Sequence, residues 1–162
     1  VKWAACLLAA LAIGVAGCGS SGGEKPVANT EPSSPAIAVV SADEVGALGT
    51  VLVDAEDRAL YVFHRDRRTT YVGISSACYG ACAETWQPLL TGGEPEGKGG
   101  ALATKLGTLK RKDGTLQVTY YGHPLYTYTG DKGPGDASGN DVTAFGGQWY
   151  ALQPDDEEPG TG

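Results

Sequence analysis

Between residues 48 and 153, apolar and polar positions alternate over short runs separated by turn-forming residues. The stretch Thr50–His64 places apolar residues on both sides of a polar Ala55-Glu56-Asp57-Arg58 segment, the pattern of a hairpin. Residues 106–129 predict three more short strands, divided at Asp113-Gly114 and at Tyr121-Gly122-His123-Pro124. Asp-Gly between alternating segments favours a tight turn, because both residues tolerate positive φ. A last strand is predicted over residues 148–153. The one helical pattern, residues 81–89, runs about two turns and is stopped by Pro88. The expected fold is mostly β and largely antiparallel, with about seven or eight strands and one short helix.

The pattern repeats. Residues 59–66 (ALYVFHRD) and 124–131 (PLYTYTGD) both read Leu-Tyr-x-aromatic-x-x-Asp. Each follows a strand-like segment containing Gly-Thr, at Gly49-Thr50 and Gly107-Thr108, and each precedes a tryptophan, Trp86 or Trp149. Two units are too few for a solenoid, which needs about three or more. They predict one pseudo-symmetric domain over residues 45–153, with repeat one at 48–90 and repeat two at 106–153.

The flanks differ from the domain. Residues 1–17 carry Lys2 and then a short, weakly apolar run, 15 residues from Trp3 to Gly17. That is less than the roughly 20 residues needed to span a bilayer, and it has the marks of a secretory signal. Its end, Val15-Ala16-Gly17-Cys18, resembles the bacterial lipobox. The resemblance implies that Cys18 is lipidated and begins the mature protein, fixing it to the extracytoplasmic face of the cell membrane. Residues 18–44, rich in Gly, Ser and Pro, read as a flexible tether, and residues 154–162 as an acidic, disordered tail. The formal net charge of −7 argues against a nucleic-acid partner. Most of that charge lies in the flanks, since the domain holds nearly equal numbers of acidic and basic residues.

A family resemblance covers nearly all of residues 48–153. Its residues are Tyr61-Phe63-Asp66 and Tyr126-Tyr128-Asp131, together with SACYGACAETWQPL (76–89), RKDGTLQVTYYGHPLY (111–126) and FGGQWYAL (145–152). These resemble the bacterial secreted lipoprotein-repeat family, with Gln87 standing where that family usually has Pro. The resemblance implies a lipoprotein of undefined biochemical role, with a loose family-level association with alkane catabolism.

Each candidate for chemistry has two readings. With Cys6 in the signal segment and Cys18 lipidated, Cys78 and Cys82 remain, and an isolated pair in an oxidising envelope reads as a disulfide. A redox-active or metal-binding thiol pair is the alternative. Asp66 and Asp131 read as loop-closing acceptors or as paired oxygen ligands. His64 and His123, the two histidines, read as surface residues or as weak metal candidates beside the cysteines. Tyr120, Tyr121, Tyr126 and Tyr128 read as one packed sheet face or as a haem- or sugar-binding surface. No Gly-x-Ser-x-Gly, phosphate loop or convincing carboxylate pair is present. The expectation is a non-catalytic binding or structural module of the cell envelope, with no cofactor and an unspecified ligand or protein partner. The rival is a redox, metal- or haem-binding accessory lipoprotein.

Overall fold

The computed structural model describes residues 35–69, 73–157 and 159–160. The signal segment, Cys6, Cys18 and the tether as far as residue 34 lie outside the described residues.

The first half contains β1 (Val39–Glu44), β2 (Thr50–Val53), β3 (Tyr61–Phe63), β4 (Arg67–Thr69) and β5 (Gly73–Ser75). The helix α1 (Ala81–Thr85), β6 (Trp86–Pro88) and β7 (Glu96–Gly97) follow. The second half contains β8 (Leu106–Lys110), β9 (Leu116–Tyr120), β10 (His123–Pro124), β11 (Tyr126–Tyr128), β12 (Val142–Ala144) and β13 (Gly147–Ala151). The domain is mostly β with a single short α-helix, as the pattern predicts, and every strand pair is antiparallel except β1 with β7.

The central sheet has the order β12-β13-β3-β11-β6. At its middle, β3 of repeat one pairs with β11 of repeat two, with Tyr61 opposite Tyr126. The tryptophan strands are exchanged. β13 of repeat two pairs with β3 of repeat one, setting Trp149 opposite Phe63, and β6 of repeat one pairs with β11 of repeat two, setting Trp86 opposite Tyr128. Each repeat therefore completes the other's sheet.

Two rings of backbone hydrogen bonds mark the exchange. Leu60 N donates to Leu52 O (2.8 Å), Leu52 N to Leu152 O (2.7 Å), and Leu152 N to Leu60 O (3.0 Å). In the matching positions, Leu125 N donates to Val118 O (2.9 Å), Val118 N to Leu89 O (2.8 Å), and Leu89 N to Leu125 O (2.9 Å). Each ring joins two segments of one repeat to the closing segment of the other. It leaves no buried amide of the three unsatisfied where the ladders diverge.

Side chains alternate across the central sheet, so each face has its own core. Leu60, Val62 and Leu125 join Val40, Leu52, Val118, Tyr120 and Leu152 on one side. Tyr61, Phe63 and Tyr126 join Trp86, Trp149, Val45, Val51 and the cysteines on the other. There Phe63, Trp149, Trp86 and Tyr128 form a four-ring stack, with centroids 4.1, 4.0 and 4.2 Å apart along it. Trp86 and Trp149 meet at its centre, 4° from parallel, and Tyr61 and Tyr126 pack edge-on against Trp86 and Trp149. Gly139 is required here, since a Cβ on it would lie 2.8 Å from the Trp86 ring.

Several sequence expectations are corrected. Among the described residues, thirteen short strands replace the seven or eight expected, because β1, β4, β5, β7 and β12 form outside the alternating runs and the helical pattern ends in β6. Residues 86–88 join the sheet rather than the helix because the exchanged pairing with β11 buries Trp86. Residues 39–44, assigned to the tether, form β1, whose Val40 is fully buried. The tail is docked over its described part, where Pro154 O accepts from Tyr120 Oη at 2.8 Å.

Because each repeat lacks its closing strand, neither should fold alone. Fragments 35–105 and 106–160, made separately, should show unfolded circular dichroism and regain β signal on mixing. Trp86→Ala should cost about 3–5 kcal/mol, a large part of a typical domain's stability. Tryptophan fluorescence and far-ultraviolet dichroism should still follow a single transition in that variant; separate melting of two halves would contradict the exchange.

Candidate functional site

The Tyr-x-aromatic-x-x-Asp residues form two reciprocal clamps. Tyr61 Oη donates to Asp131 Oδ2 at 2.7 Å, and Tyr126 Oη donates to Asp66 Oδ2 at 2.8 Å. The tyrosine of each repeat thus bonds the aspartate of the other. The spacing follows from local turns: the aspartate N–H donates three residues back, Asp66 to Phe63 O (2.9 Å) and Asp131 to Tyr128 O (3.2 Å). The remaining carboxylate oxygens accept from Ala77 N (2.7 Å) and Ser138 Oγ (2.8 Å). Both aspartates do act as loop acceptors, and the cross-repeat bond is the partner that a linear motif hides.

Burial dominates the electrostatics. It pushes both tyrosine hydroxyls well above their ordinary range, with the facing aspartate adding to the shift. It also pushes the Asp66 carboxyl up to about 6, against the opposing pull of Ala77 N–H, Tyr126 Oη and Arg111.

The two clamps differ in their surroundings. Tyr126 Oη also meets Ser76 Oγ at 2.8 Å, and its own proton is committed to Asp66, so Ser76 donates. Buried Arg111 donates to Ser76 Oγ (3.1 Å), Gln117 Oε1 (2.6 Å) and Cys78 O (2.8 Å), and stacks 4.4 Å over the Tyr79 ring. The matching turn of repeat one, closed by Val45 N to Gly49 O as Arg111 N to Thr115 O closes this one, puts Val45 and Val51 where repeat two has Arg111 and Gln117. A polar network thus occupies one side of the pseudo-symmetric core and valines the other.

Cys78 and Cys82 form a disulfide with Cα atoms 5.2 Å apart. Cys78 precedes α1, which begins at Ala81 after Gly80 at φ 56°, so the bond joins the loop to the helix. Both cysteines are buried beside Trp86. The helix also breaks the symmetry: Trp149 Nε1 donates to Ala144 O five residues back, while Ala81 O, five back from Trp86, accepts Thr85 Oγ1 instead. Trp86 Nε1 is left buried without a partner, a cost of about 1–3 kcal/mol.

The histidines lie elsewhere. His64 and His123 border one cleft of about 270 Å3, together with Asp66, Arg68, Tyr150 and Pro159. His64 is exposed, and its backbone N–H donates to Gln148 O. His123 Nε2 sits 3.0 Å from Glu157 O, and burial lowers its pKa. The cysteines are joined to each other in the core, so a Cys2His2 ligand set is not assembled. Among the described residues, no three His, Cys, Asp or Glu side chains gather closely enough to hold a metal ion. The tyrosines likewise divide: Tyr126 belongs to one core and Tyr120 to the other, correcting the single packed face.

Residues 45–90 and 107–153 each match a family described as a secreted repeat of unknown function. The chain belongs to that family. The first match opens in the turn before β2 and the second within β8, and each ends just past the exchanged tryptophan strand, so the secreted repeat is the unit that trades its last strand. No curated protein and no solved structure matches the chain.

Two outcomes follow from this geometry. A carboxyl held near 6 in the fold and near 3.9 unfolded stabilises the protonated protein. That contribution is complete below about pH 4 and is lost as pH rises through 6, about 3 kcal/mol in all. The stability difference between the native chain and Asp66→Asn, from melts at pH 4 to 7, should fall by this amount; a flat difference would contradict it. Replacing both Cys78 and Cys82 with Ala should cost about 2 kcal/mol from the five-residue loop alone. The melting temperature should drop roughly 8–15 °C with folding retained, and mass spectrometry of the native chain should find no free thiol at either position.

Proposed function

We propose that the chain is a lipid-anchored envelope protein, held at the extracytoplasmic face of the membrane through Cys18, whose secreted repeats form a non-catalytic binding or structural module. The observation that carries the non-catalytic reading is the pair of reciprocal clamps: the residues that define each repeat bond to the other repeat. Hydroxyl and carboxylate are thereby committed to holding the fold together. The closed Cys78–Cys82 disulfide supports an oxidising, extracytoplasmic setting. Val15-Ala16-Gly17-Cys18 supports the anchor, and no helix among the described residues is long and apolar enough to cross a membrane.

The anchor is tested by Cys18→Ser. The native chain should partition into the detergent phase and incorporate labelled palmitate. The variant should lose the label and appear in the medium or as an unprocessed precursor. A variant that stays membrane-bound at the normal mature mass would refute lipidation at Cys18.

A further inference from the structure

The cleft bordered by the histidines is built from both repeats and carries the guanidinium of Arg68. His64 and Arg68 come from the segment after β3, His123 from β10 and Tyr150 from β13. Arg68 Nη1 donates to Tyr121 O at 2.9 Å, tying the first repeat's arm to the β9–β10 turn. Of the three arginines in His64-Arg65-Asp66-Arg67-Arg68, Arg68 lines the cleft, beside the one acid of the segment, Asp66. That acid is committed to Tyr126 Oη and Ala77 N–H.

The chain's own acidic segment lies against this cleft. Pro154 O accepts from Tyr120 Oη at 2.8 Å, and Glu157 O lies 3.0 Å from His123 Nε2. Pro159 lines the cleft, and a Cβ on Gly160 would come 2.5 Å from the Tyr150 ring. These polar contacts engage main-chain carbonyls, which any peptide carries. Asp155, Asp156 and Glu157 bring negative charge toward the His123 and Arg68 side of the cleft.

We propose that this cleft receives acidic peptide segments of partner proteins, and that the chain's own tail, through Pro154, Glu157 and Pro159, occupies it as an intramolecular competitor. The inference rests on the binding role proposed above and gives it a site and a ligand class. The Cys18→Ser release assay stands apart from it, so losing the cleft leaves the anchor intact.

The test uses the full chain and a full-length variant whose tail is neutralised by Asp155→Asn, Asp156→Asn, Glu157→Gln and Glu158→Gln. Both are titrated with a fluorescent peptide copying residues 153–162, and anisotropy is read. A tethered tail at an effective concentration on the order of 1 mM competes roughly tenfold against a site with Kd about 100 μM. The neutral-tail chain should therefore bind the peptide about tenfold more tightly than the native chain. Adding His64→Gln or Arg68→Gln to the neutral-tail chain should weaken binding severalfold, and a peptide with its four acids neutralised should bind at least tenfold more weakly. Thermal melts verify folding, and exposed His64 supplies the readout should the Arg68 variant not fold. Equal affinity of the two chains for the peptide, or equal binding of the neutral peptide, would overturn the proposal. Phosphatidylglycerol vesicles form the second arm: a neutral-tail chain that binds vesicles but not peptide would make the face a membrane-contacting surface and overturn it too.

Discussion

The stack of Trp86 on Trp149 is the contact on which the rest of the domain depends. The two rings come from different repeats and are both fully buried. They can meet only if each tryptophan strand crosses to the other repeat's sheet. The exchange brings Phe63 and Tyr128 onto the outer faces of the pair and Tyr61 and Tyr126 onto their edges. Large aromatic surfaces removed from water, with further gain from each stacked or edge-on pair, supply a core that neither half could assemble. The reciprocal tyrosine–aspartate bonds lie beside that core and fix the same pairing by polar contacts, so hydrophobic and hydrogen-bonding terms select one arrangement.

Symmetry holds where the two repeats touch and fails away from the contact. Val45 and Val51 need only fill space, whereas Arg111 and Gln117 in the matching turn must satisfy buried polar atoms through Ser76, Cys78 O and Leu125 O. The disulfide and α1 belong to repeat one, and the β12–β13 hairpin takes their place in repeat two. The unpartnered Trp86 indole N–H is one consequence. Arg111 Nε, on the same side, lacks a hydrogen-bond partner and lies 3.6 Å from Asp113 Oδ2. Two copies of one unit have thus kept the interface and diverged around it.

This division bears on function. The residues that recur in both repeats are interior and structural, while the cleft with His64, Arg68 and His123 draws different residue types from each repeat. His64 and Arg68 come from the arm after β3, and the corresponding loop after β11 runs instead through Gly130, Asp131 and Lys132. On the proposed reading, binding specificity would reside in what the repeats do not share, at a surface built over the shared core.

Much of this was legible from residues alone, for local reasons. Asp113-Gly114 turns because of its backbone preferences, and Asp66 and Asp131 follow their aromatic residues by three because the turn closes at that spacing. Cys78 and Cys82 are close in sequence and form the bond their spacing permits. The partner of each strand was not legible. Tyr61 and Tyr126, or Trp86 and Trp149, sit in similar local patterns, so pairing within a repeat and pairing between repeats look the same in the sequence. The β1 strand lay hidden in the segment read as tether and its parallel partner β7 in a Gly- and Pro-rich stretch, where the β7 pairing depends on a strand distant along the chain. Local preference determined which segments are strands and turns; only the tertiary structure decided the exchange, because burying both tryptophans against each other is a property of two repeats together.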